Sequence, residues 1–205
     1  VPMMAYVPGR TEAGVRINTP VVPEDYFPTI LEIAGITDYN IVQSLDGQSF
    51  LKLITDGSQY VKKAMDRGEI TDQKSANAFM VPASVSGIDP DRDVIFHSPH
   101  QWRVTDLEDI DFLSCIRKGQ WKLMYRMHES ALELYDITKD ISEQHDVATD
   151  FPGVTKDLAN RLSEAMTRWN ASMPTVRATG KPVPMPADDS VLGKERFRKS
   201  EIFNI

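Results

Sequence analysis

Two extended runs, residues 113–117 and 120–126, meet at Lys118-Gly119 and constrain the fold more than any other feature. A glycine there permits the backbone angle that a tight hairpin requires. In the second run Trp121, Leu123 and Tyr125 fall on one face, and Lys122 and Arg126 on the other. This is the period of a half-buried strand, blurred only by Met124. Leu132 and Leu134 alternate in a third run, and Val94–His97 reads as a further strand. Asp136 through Asp140 read as a turn. Asp140 or Ser142 is then placed to cap a short helix, with Glu143 completing a capping box from Asp140.

A sheet of this kind needs a cover. Pro152 suits a helix start, and Val154, Leu158, Leu162, Ala165 and Trp169 recur at spacings of three and four. The spacing predicts one long helix whose stripe, with Trp121 against it, is core. Residues 93–175 thus read as a subdomain of antiparallel sheet plus helix.

Residues 1–57 read as the end of an α/β layer. Pro2 to Val7 is a short apolar run suited to a buried strand, although it has no obvious partner within the chain. Such a strand is either paired within a larger protein or rearranged. Residues 24–34 follow as a helix with Phe27, Ile30, Leu31 and Ala34 on one stripe, Pro23 and Pro28 near its start and Gly35 at its stop. Leu45 to Phe50 is a turn leading to a helical segment through Ile54. Residues 58–92 are polar and without clear period, as in a surface insertion or linker. Residues 176–205, with Pro182, Pro184 and Pro186, form an extended tail that either wraps the domain or is mobile.

Composition excludes several function classes. A net charge of -7 across 205 residues offers no basic face for nucleic acid, and the run Lys194–Lys199 reads as a solvated tail. No apolar run is long enough for a membrane-spanning helix. One cysteine, Cys115, precludes an internal disulfide framework. The chain starts at Val1 with no visible signal segment, as expected of a processed or truncated piece.

Candidate chemistry is sparse. His97 and His100 flank Ser98-Pro99 at a predicted strand end, with Arg103 just beyond. Pro99 makes the stretch a loop and no third ligand lies near, so a zinc site is not expected. A ligand contact is the sharper reading, and satisfied backbone at a loop entry the plainer one. His128 and His145 fall in turns. The acidic run Asp136, Asp140, Glu143, Asp146 lacks the spacing and central glycine of a calcium loop and reads as a capped turn. Neither a phosphate-cradling glycine loop nor a Gly-x-Ser-x-Gly elbow is present.

Four pieces, in order, resemble the sulfatases of the alkaline-phosphatase-like superfamily. Val1-Pro2 with Pro8-Gly9 is similar to a strand of that family. Thr19-Pro20-Val21 leads into a helix bearing Asp25, Pro28-Thr29 and Ala34-Gly35. Leu45-Asp46-Gly47-Gln48-Ser49-Phe50 follows, and then the block Arg117-Lys118-Gly119-Gln120-Trp121-Lys122-Leu123 with Leu134-Tyr135-Asp136. The resemblance covers most of residues 1–175. It implies an α/β fold turning to α+β: the last strand and helix of an alkaline-phosphatase-like domain, then a small antiparallel sheet packed on a long helix.

In an intact sulfatase the resemblance implies a formylglycine nucleophile made within Cys/Ser-x-Pro-x-Arg, and calcium held by Asp and Asn. Neither catalytic nor metal residues carry over to this sequence. Cys115 is followed by Ile-Arg-Lys, and Ser172-Met-Pro-Thr-Val-Arg177 sets its arginine one residue too far. The expected partners are the N-terminal part of a sulfatase domain and a sulfated small molecule or saccharide. His97, His100 and Arg103 are the residues expected to contact that substrate. The chain alone is expected to be inactive. A related phosphate or phosphonate hydrolase and a non-catalytic binding module are the alternatives. The resemblance suggests a periplasmic, secreted or lysosomal site and leaves a cytoplasmic one open.

Overall fold

The computed structural model describes residues 3–40, 42, 45–100 and 112–194. The chain divides into two compact units, Val1–Arg92 and Asp93–Ile205. Helices and a four-stranded antiparallel sheet make the fold mixed α and β.

In the first unit a 3-10 turn at Pro23–Asp25 leads into α1 (Tyr26–Ile33). Pro28 lies in the first turn of α1, where no intrahelical N–H is lost. Gly35, at φ 69°, ends the helix and donates its N–H to the Glu32 carbonyl. The expected apolar stripe is not what α1 buries. Phe27 and Ile30 are 47% and 60% exposed, whereas Thr29 and Asp25 are buried. These two polar residues hold the following segment. The Asp25 carboxylate accepts the N–H of Val22 at 2.9 Å and of Gln48 at 2.8 Å, and Thr29 Oγ1 accepts the N–H of Phe50 at 2.9 Å.

Gly47 is part of the same strap. A Cβ there would lie 2.0 Å from the Glu24 carbonyl oxygen, so no other residue permits this approach. Arg92 closes the arrangement with both Nη atoms on Asp25, Nη1 at 2.8 Å from Oδ1.

The strap delivers Phe50 and α2 (Leu51–Ile54) to a core that α3 (Asp56–Asp66) and the segment through α5 (Ala83–Ser86) complete, while α4 (Gln73–Ala78) buries no residue. Val61, Val81 and Ile88 pack with Phe50 and Leu53, all 3% exposed or less. The expected surface insertion at 58–92 therefore supplies core to its unit, and a boundary at 57/58 would cut α3. Of the expected strand at 2–7, the described residues 3–7 form none; Met4 and Tyr6 are exposed.

The second unit is a meander of β1 (Val94–Ser98), β2 (Leu113–Lys118), β3 (Trp121–Arg126) and β4 (Ala131–Asp136), in that spatial order. Lys118 pairs with Trp121 across the two-residue turn at Gly119, whose φ is 54°. Ile116, Leu123, Tyr125, Leu132 and Leu134 form one sheet face and pack with Leu158, Leu162 and Met166 of α6 (Pro152–Arg168). The register places Cys115, Met124 and Tyr135 on the other face, where they are also buried.

Two expectations fail at helix ends. Trp169 caps α6 instead of filling its stripe and is 40% exposed. The short helix after Asp140 does not form: Glu143 takes φ 54°, and the Asp140 carboxylate accepts the His145 N–H at 2.7 Å. Trp121 is only partly buried, its ring centroid 4.9 Å from that of Phe151.

The described part of the tail wraps the unit. Val183 and Val191, the latter in α7 (Asp189–Leu192), join the core, and the Tyr125 hydroxyl donates to the Pro184 carbonyl at 2.5 Å. Among the described residues, no helix is long and apolar enough to cross a membrane.

Candidate functional site

The end of β1 carries His97, and His100 lies two residues beyond it. Strand pairing sets His97 opposite Ser114 on β2. Its Nδ1 lies 2.7 Å from Ser114 Oγ and its Nε2 lies 2.9 Å from the Ser172 carbonyl oxygen. A carbonyl only accepts, so Nε2 bears the proton; in the neutral ring Nδ1 accepts from the serine hydroxyl. Ser114 is 1% exposed, and the contact satisfies a hydroxyl that burial would otherwise strand. Ser172 reaches this position because α6 stops at Arg168 and Asn170 reverses the chain at φ 50°. His97 thus ties β1 to the segment after α6 and has no ring nitrogen free for a ligand.

His100 is different. It is exposed, and its carbonyl accepts the Phe112 N–H at 3.4 Å. Residues 100 and 112 are drawn together at the two ends of the 101–111 segment. Arg103 falls within that segment, outside the described residues.

The carboxylates at 136–146 are engaged locally. Asp136 accepts the Thr138 hydroxyl at 2.6 Å and pairs with Lys139 at 2.9 Å. Glu143 pairs with Lys122 at 2.5 Å, and Asp146 accepts the N–H of Leu134 and of Ala148, each at 2.9 Å. They build a turn. Among the described residues, no group of three His, Cys, Asp or Glu side chains is placed to hold a metal ion. His128 and His145 have strongly exposed side chains. Cys115 is buried in β2, and burial pushes its thiol up, opposite to the shift that makes a thiolate nucleophile.

Sequence reasoning did not single out the sheet face opposite α6 as a site. Phe96, Arg117, Lys122 and Arg126 share it by register. Lys122 has Glu143, and Arg126 has Glu133 at 2.9 Å. The half-buried Arg117 makes one long contact, Nε to the Gly119 carbonyl at 3.5 Å. Burial lowers its pKa. Period-2 alternation alone would have put Arg117 and Lys122 side by side; only the structure shows which has a carboxylate.

No family model matches the chain. It is 26% identical over 200 residues to a protein named sulfatase from Formosa agariphila, covering 93% of this chain and 31% of that one. It is 25% identical over 167 residues to arylsulfatase K of Mus musculus, covering 79% of this chain and 24% of that one. Among solved structures it is similar to BT4656 in complex with its substrate D-glucosamine-2-N,6-O-disulfate. The TM-score is 0.51 over 80% of this chain and 27% of that one, and the 17% identity makes this a likeness of fold alone. The chain spans less than a third of the length of the curated relatives it matches.

Proposed function

From the match of this chain to a C-terminal portion of the sulfatases, we propose that it serves an enzyme hydrolysing sulfate esters of carbohydrates. The observation that carries the reading is the near-complete coverage of the chain by one curated sulfatase. The shared fold supports it, and the sugar disulfate bound to the neighbour supplies the substrate class.

The chemistry belongs to the portion of sequence that the relatives carry outside the matched third. Formylglycine and calcium find no fitting residues among those described. Cys115 sits inside a strand without the x-Pro-x-Arg sequel, and the carboxylates at 136–146 are spent on their own turn. The role assigned to this chain is to complete the fold and to present the end of β1 at the rim of the substrate pocket.

The pure chain should therefore show no turnover of a chromogenic aryl sulfate with calcium present. Turnover that survives further purification and disappears on mutating a residue of this chain would overturn the assignment.

His100 and Arg103 are the substrate contacts we assign at that rim, with His97 positioning the strand beneath them. In the intact enzyme, His100→Ala and Arg103→Ala should each lower kcat/KM by about 1–3 kcal/mol, the worth of a hydrogen bond to a charged group. The natural substrate should suffer more than a small aryl sulfate. Wild-type kinetics on both substrates would make the loop purely structural.

A further inference from the structure

We propose that the sheet face opposite α6, centred on Arg117 and Phe96, binds a sulfate-bearing saccharide away from the reacting centre. The substrate class rests on the reading above; the site itself rests on geometry.

Strand register sets Arg117 directly opposite Lys122 on one face. Like charges in that relation repel. Lys122 is relieved by Glu143, and the next basic residue on the face, Arg126, by Glu133. Arg117 has no carboxylate among the described residues, only the 3.5 Å contact to the Gly119 carbonyl. A half-buried guanidinium has lost part of its hydration and gained no counter-charge, and an anion from outside the fold relieves both costs. Its planar fork suits two oxygens of one sulfate, a geometry an ammonium lacks.

The neighbouring position argues for a sugar. Phe96 pairs with Cys115, two residues from Arg117 on the same face, and is 54% exposed. Diagonal neighbours of this kind lie about 7–8 Å apart, within reach of large side chains. A sugar ring laid on the open aromatic face would bring a ring substituent to the arginine. The chain as a whole carries -7, so its general field does not gather polyanions; binding here requires the local pair.

The test is a titration of the folded chain, with the Arg117 Nε–Hε resonance as the reporter. The probes are a sulfated hexosamine oligosaccharide, its desulfated form, inorganic sulfate and a glutamate-rich peptide. The sulfated sugar should bind at least tenfold more tightly than the desulfated one and should shift the Arg117 resonance. Arg117→Gln should remove at least tenfold of that affinity. Phe96→Ala should weaken the sugar several-fold while leaving inorganic sulfate unchanged. Arg117→Lys, which keeps the charge and loses the fork, should fall between and carries the test if Arg117→Gln does not fold.

Binding that ignores these substitutions, absence of binding, or no preference for sugar over inorganic sulfate overturns the proposal. Tighter binding of the glutamate-rich peptide gives the face to a protein segment and also overturns it. Hydrolysis is not measured in this experiment, so its failure is separable from failure of the sulfatase reading.

Discussion

Asp25→Ala should destabilise the first unit by about 3–5 kcal/mol, the usual cost of removing one partner from a buried ion pair. Asp25 is fully buried, and its carboxylate accepts bonds from Arg92, Gln48 and Val22. Alanine would leave the Arg92 guanidinium buried without a counter-charge and release the strap that brings Phe50 to the core. Amide exchange along α3 through a urea series is the measurement; residues 1–92 contain no tryptophan, so fluorescence does not see this unit directly. A loss below about 1 kcal/mol would show the pair to be solvated in practice.

The pair also fixes an acid dependence. Burial by itself would raise the Asp25 pKa, but the Arg92 guanidinium and the Gln48 and Val22 N–H groups outweigh it and hold the carboxyl below the ordinary range. A depressed folded value means the unfolded chain takes up the proton first. The stabilisation is complete above the unfolded value of about 4 and fades as pH falls through the lower folded one. Asp25→Asn should flatten this acid limb while leaving the pH 6–8 range level.

Leu162→Ala is the second large effect, at about 3–5 kcal/mol. Leu162 is wholly buried in the middle of α6, in the cluster with Ile116, Leu123 and Leu134. Truncating a leucine in such a place loses its transfer free energy and leaves a cavity. Trp121 packs against the same cluster, so tryptophan emission through a denaturant series should report the lowered midpoint. Glu164→Ala, two residues on and exposed, should stay within about 0.5 kcal/mol. Equal midpoints for the two variants would mean that α6 is not seated on the sheet.

The parts of the fold legible in the sequence were those built on a repeated period. Residues 113–136 alternate around Gly119, and α6 carries a long stripe behind Pro152; both signals are set by local geometry. The first unit was less legible because its helices are short. Val61, Val81 and Ile88 reach one core from separate short segments and leave no period to read. Hydrophobicity misled at α1, where Phe27 and Ile30 face outward and the buried positions belong to Asp25 and Thr29. A polar residue is buried there because it strings together backbone N–H groups from a distant segment, which spacing along one helix does not encode. The same limit applies to the candidate site. His97 was visible as a residue type at a strand end, but its partners Ser114 and Ser172 lie 17 and 75 residues away. Neither could be paired with it before the sheet and the end of α6 were in place.

The return of the tail to the sheet decides what unfolds together in the second unit. Tyr125, next to the C-terminal end of β3, is bonded to Pro184, and Val183 and Val191 fill the cluster that α6 and the strands share. The hairpins are local in sequence and close early at little loop entropy, but water is not excluded from their inner face until residues some sixty positions later have docked. The cooperative unit is therefore larger than sheet plus helix. A chain cut between α6 and Pro182 would keep every strand pairing and still lose the all-or-none character of its transition, because the seam holding Tyr125 would stand open to solvent.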